Sequence, residues 1–93
     1  MRRLRRWFEA GVRVAELPPD VVLDVPRVTA IGTVHLYLEN HRGLEAFSAT
    51  EIRFRTATGR LAVRGEELVL RALDPSEALV EGRIRSVDWD RSE

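Results

Sequence analysis

Residues 34–43 read VHLYLENHRG, so His35, Tyr37, Glu39, Asn40 and His41 fall within ten positions. Imidazole and carboxylate this close in sequence are the ingredients of a metal site or of acid–base catalysis. They equally suit the polar face of a strand that runs into a tight turn. A zinc site wants three or four ligands at about 2.0–2.2 Å, and the chain has two histidines and no cysteine. His35 and His41 share a face only while the strand continues, and the turn chemistry of Asn40 to Gly43 interrupts it. General acid–base work also needs a cleft that shifts a pKa, which an exposed strand face does not supply. Gly32, Gly43, Gly59, Gly65 and Gly82 stand singly at turn positions and form no phosphate-binding loop. The segment therefore reads as a hairpin whose polar residues fix a turn. No catalytic residue, metal ligand or cofactor is expected.

The elements that must position these residues are constrained by length. Ninety-three residues make one domain. A chain of this size buries about 60–65% of its unfolded surface, which leaves one modest core and little room for a deep cleft. The 15 basic residues, all arginine, balance 15 acidic ones, so net charge does not argue for nucleic acid. The absence of cysteine suits a reducing compartment. The basic start MRRLRRWF is followed by EAGVRVAEL, too charged for the apolar stretch of a secretory signal, so an intracellular protein is expected.

Residues 1–17 form the first expected unit, a basic amphipathic helix. Leu4, Trp7, Phe8, Val12 and Ala15 recur at helical spacing, and Pro18-Pro19 forces an end near Leu17. Arg2, Arg3, Arg5 and Arg6 crowd the end where a helix dipole prefers anions. That arrangement suits an anionic membrane surface or an acidic partner, with Leu4, Trp7 and Phe8 as apolar anchors. The plainer alternative is a helix that packs its apolar stripe on its own domain.

From residue 18 to 93 the period is two. The runs VVLDV, RVTAI, VHLYLE, LEAF, EIRFRT, RLAVR, ELVLRAL, ALVEG and RIRSVDWD are separated by turn signals such as NHRG, ATG, GEE and DPSE. Seven or eight short strands of this kind predict a mainly β fold, an antiparallel β-sandwich of Ig-like or small barrel-like form. The expected core is Val34, Leu36, Leu38, Ile52, Phe54, Leu61, Val63, Leu68 and Leu70, with His35, Tyr37 and Glu39 facing outward. The last run changes phase between Ile84 and Val87, which predicts a bulge near Arg85 and Ser86. Outward arginines and glutamates alternate across the strands, a pattern of cross-strand support and edge protection.

From Leu17 to about Trp89 the chain resembles the YabP/YqfC sporulation family, most closely its YqfC branch. The residues that carry the likeness are LPPDVVLDVPRVTAIG at 17–32, LYLENHRG at 36–43, GEELVLR at 65–71 and ALVEGRI at 78–84. Pro26, Gly32, Glu39, Asn40, His41, Gly43, Gly65 and Gly82 match the family pattern, which gives none of them a catalytic role. Their physical reading is structural: Gly43 and Gly65 for positive φ in hairpin turns, Pro26 for a strand edge or break, Asn40 for a backbone hydrogen bond in its turn. The resemblance implies a small non-enzymatic protein of endospore-forming bacteria. It would act in the mother-cell cytoplasm at the membrane surrounding the forespore, beside a YqfD-like membrane protein. No nucleic-acid partner is expected, and self-association is open. The alternative is a barrel-type module for a small ligand or nucleic acid, disfavoured by the lack of clustered exposed aromatics.

Overall fold

The computed structural model describes residues 25–91, which form six strands: β1 (Arg27–Ile31), β2 (His35–Glu39), β3 (Gly43–Phe47), β4 (Glu51–Thr56), β5 (Gly59–Leu73) and β6 (Glu77–Arg91). All pair antiparallel in one sheet of order β1-β2-β6-β5-β4-β3. The expected helix over 1–17 and most of VVLDV lie outside the described residues.

The sandwich expectation needs correction. There is one open sheet rather than two packed sheets, and six strands rather than seven or eight among the described residues. The count falls because GEE does not reverse the chain and Gly82 does not end a strand. RLAVR and ELVLRAL join as β5, and ALVEG and RIRSVDWD join as β6, each 15 residues long. Turn chemistry at 65–67 is used instead for a break in register, with Glu66 opposite Arg83 and Val69 opposite Glu81. Glu67 takes a left-handed φ of 54° there, facing Gly82. A second shift pairs Arg64 with Ser86 and Gly65 with Ile84, so that Arg85 is extra. This is the expected bulge. The third lies between Leu70 and Ala72.

These bulges curl the sheet, and connectivity requires the curl. β2 and β3 are joined only by residues 40–42, yet four strand spacings separate them in the sheet order. In a flat sheet that is about 19 Å, whereas four Cα–Cα steps reach at most about 15 Å. NHRG is therefore a short crossing between the two ends of a curled sheet, and the hairpin expectation fails because β2 and β3 do not pair. The curl brings Leu36 and Leu38 of β2 into one core with Ile52 and Phe54 of β4, Leu61, Val63 and Leu68 of β5, and Ala78 and Val80 of β6.

Two expected core residues depart from this. Val34 is in the β1–β2 turn and 48% exposed, and Leu70 only packs against the core edge. Tyr37, expected outside, is fully buried, so both faces of β2 are covered. The true turns are locally encoded. Asp74 Oδ1 accepts from the N–H groups of Ser76 and Glu77 at 3.0 and 2.6 Å, while Ser48 Oγ accepts from those of Thr50 and Glu51 at 3.2 and 3.0 Å.

Candidate functional site

The residues that first suggested chemistry meet at the crossing. Asn40 follows β2 with a φ of 70°, a left-handed value that asparagine tolerates better than most residues. Its N–H donates to Ser76 O at 2.6 Å and its Nδ2 to Val25 O at 3.0 Å. Arg42 N–H donates to Arg55 O at 2.7 Å, which ties the crossing to β4. His41 sits between these anchors, 3% exposed, its ring 5.2 Å from that of Phe54.

The imidazole is committed on both sides. Gly43 N–H donates to Nδ1 at 2.9 Å, so Nδ1 is the unprotonated nitrogen. The proton then belongs on Nε2, which lies 3.1 Å from Asp74 O and 3.2 Å from Glu77 O and donates toward them. Burial lowers the His41 pKa from its ordinary value, outweighing the opposing pull of the Asp74 carbonyl and charge. The ring is a neutral cross-link joining the crossing, the β5–β6 turn and β4. A nitrogen that already accepts a backbone N–H has no lone pair left for a metal or a substrate proton.

His35 is elsewhere. It lies at the start of β2, partly exposed, with Nε2 3.1 Å from Glu81. Arg71 also contacts Glu81 at 2.8 Å, and chiefly through that hydrogen bond Glu81 is held below its ordinary pKa. The structure thus does not bring the two histidines into one site. Glu39 is nearly buried at the end of β2, opposite Arg27. Tyr37 donates its hydroxyl to Glu77 at 2.9 Å. Sequence reasoning missed Tyr37, Asp74 and Ser76 as parts of this assembly; the Asp-Pro-Ser turn was the one visible signal for the latter two.

The remaining motif residues serve the frame. Pro26 immediately precedes edge strand β1, where a missing N–H is harmless. Gly32 occupies the β1–β2 turn with a φ of 57°, and Gly43 opens β3 with a φ of 137°. Gly65 corrects an expectation: it has no positive φ and sits inside β5 rather than in a hairpin turn. A Cβ there would lie 2.0 Å from the Arg83 carbonyl oxygen, so close backbone approach in the bulge is what demands glycine. Gly82 has both reasons, a φ of 139° and a would-be Cβ 2.6 Å from Glu67 O. These two glycines permit the curl that brings His41 onto Phe54. Arg2, Arg3, Leu4, Arg5, Arg6, Trp7 and Phe8 lie outside the described residues.

Comparison with known families covers the same ground. The model of the YabP family matches residues 24–93, which includes every strand and the whole crossing. The chain belongs to the YabP family. It is also 41% identical over 90 residues to the uncharacterized protein YqfC of Bacillus subtilis (strain 168), covering 97% of this chain and 94% of the relative. The resemblance read from ENHRG and its neighbouring motifs is thereby shown.

Proposed function

We propose that this YabP-family chain is a non-enzymatic sporulation protein, acting in the mother cell as a structural or adaptor module beside a YqfD-like membrane protein. The observation that carries the reading is the state of His41. The most chemistry-capable residue of the motif spends both ring nitrogens on backbone groups of its own fold. A motif built this way preserves a shape, and a preserved shape with no reacting group works by contact.

The contact is assigned to Arg2, Arg3, Leu4, Arg5, Arg6, Trp7 and Phe8. Each arginine near an anionic leaflet is worth about 1 kcal/mol, while the apolar residues suit a membrane boundary or a partner's pocket. Among the described residues no helix is long and apolar enough to cross a membrane, so attachment through this segment or a membrane partner is the route proposed.

Deletion of residues 1–17 tests this. The truncated chain should remain folded by thermal melt, yet in a sporulating cell it should lose a membrane-proximal position and fail to support spore formation. Normal localisation together with normal sporulation would overturn the assignment.

A further inference from the structure

Tyr37 is buried where the sheet alone cannot bury it. Its neighbours Leu36 and Leu38 point into the core, so Tyr37 points to the opposite, outer face. Register sets it between Thr29 of β1 and Leu79 of β6. Two flanking side chains shield the edges of a tyrosine ring and leave its upper surface in solvent. Tyr37 is nevertheless 0% exposed, and Thr29 Oγ1, on an edge strand, is also closed to solvent. All six strands belong to one sheet, so among the described residues no second layer lies over this face.

Burial on the outer face is graded, and the gradient has a direction. In the row of Ile31, His35, Glu81 and Val69, Ile31 is 41% and Val69 45% exposed. The next row holds the fully buried Tyr37, and the last holds Glu39, nearly buried between Arg27 and Glu77. The cover therefore enters at the Glu39 end and stops short of His35. The chain preceding the described residues arrives at that same end: Val25 is held there by Asn40 Nδ2, which donates to its carbonyl at 3.0 Å. Ser92 and Glu93 instead continue from Arg91, at the other end of β6. Tyr37 lies three positions before Asn40, about 10 Å along β2, and three extended residues back from Val25 span the same distance. That brings Val22 level with Tyr37, inside the apolar run Val21, Val22 and Leu23.

We propose that Val21, Val22 and Leu23 dock across the outer face of β1, β2 and β6 and seal Tyr37. The folded unit then begins near Asp20, and residues 1–17, beyond Pro18-Pro19, stay available for outside contacts. Tyr37 is the only tyrosine and the chain has no cysteine, so nitration by tetranitromethane reports this one ring. In the full chain Tyr37 should react about tenfold or more slowly than N-acetyltyrosinamide, because reaction awaits local opening. Val22→Asp with Leu23→Asp should remove most of that protection while a cooperative melt persists. Both positions are changed because only one of two adjacent residues in an extended segment faces the sheet. Trp7→Ser with Phe8→Ser should leave the protection intact. Should the aspartate variant fail to fold, nuclear Overhauser contacts in the unmodified chain decide. The Tyr37 ring should then meet methyl groups of Val21, Val22 or Leu23. Ring contacts to none of these three, an aspartate variant as protected as the parent, or protection lost in the serine variant overturns the proposal.

Discussion

Two polar regions of the sheet are built by opposite rules. Around His41 the polar groups are buried and satisfied by backbone, from Gly43 on one side and Asp74 and Glu77 on the other. On the outer face of β4, β5 and β6 the polar groups are exposed and satisfied by each other, as Arg64 is by Asp88 and Glu51. A buried group without its partner forfeits its full solvation, whereas an exposed ion pair exchanges one set of contacts for water at little loss. The crossing therefore holds the architecture, and the arginine face is energetically free to be used for something else. Polar residues of similar appearance in the sequence have different tasks because of where the curl places them.

The comparison can be broken first at its apolar support. Phe54 is fully buried and lies under His41, so Phe54→Ala should destabilise the domain by about 3–5 kcal/mol. Against a total stability on the order of 5–15 kcal/mol this is severe, and a thermal or denaturant melt left unmoved would refute the core assignment.

The next effect is that of the cross-link. His41→Ala leaves Gly43 N–H and the Asp74 carbonyl without their partner, while the Glu77 carbonyl still accepts from Asp74 N–H at 2.8 Å, and should cost about 1–3 kcal/mol. It also carries a pH signature. Because burial lowers the His41 pKa in the folded chain, the unfolded chain binds the proton first. The stabilisation is fully present above the ordinary value of 6.5 and is lost as pH falls through the lowered one. Glu81, also lowered, adds a similar loss only below its ordinary 4.5. Denaturant midpoints measured from pH 8 down should show both declines in the parent chain and only the more acidic one in His41→Ala. Identical profiles would remove His41 from the account.

The smallest effect belongs to the exposed face. Arg64→Ala dissolves contacts to both Asp88 and Glu51, yet Asp88 is exposed and Glu51 only partly buried, and the change should stay within about 1 kcal/mol and shrink in high salt. A loss as large as that of His41→Ala would erase the distinction between the regions.

What the sequence by itself determined is local. The alternation of Ile52 with Phe54 and of Leu61 with Val63 placed a face, because successive strand side chains point to opposite sides whatever else the chain does. Asp74 and Ser48 encoded their turns with their own side chains. The change of phase between Ile84 and Val87 announced the bulge at Arg85. The bend after Leu38 was legible as what separates His35 from His41, since a strand face is shared only while the strand continues. What only the tertiary structure decided depends on strands far apart in the chain. Periodicity says which side a residue faces and not what covers that side, so the burial of Tyr37 and the exposure of Val34 were not legible. Turn chemistry at GEE is the same in a reversal and in a bulge, and only the backbone of Arg83 beside Gly65 chose between them. The carbonyl partners of His41 Nε2 lie more than 30 residues away. They come within reach because a crossing of three residues can join two ends of a sheet only when that sheet curls.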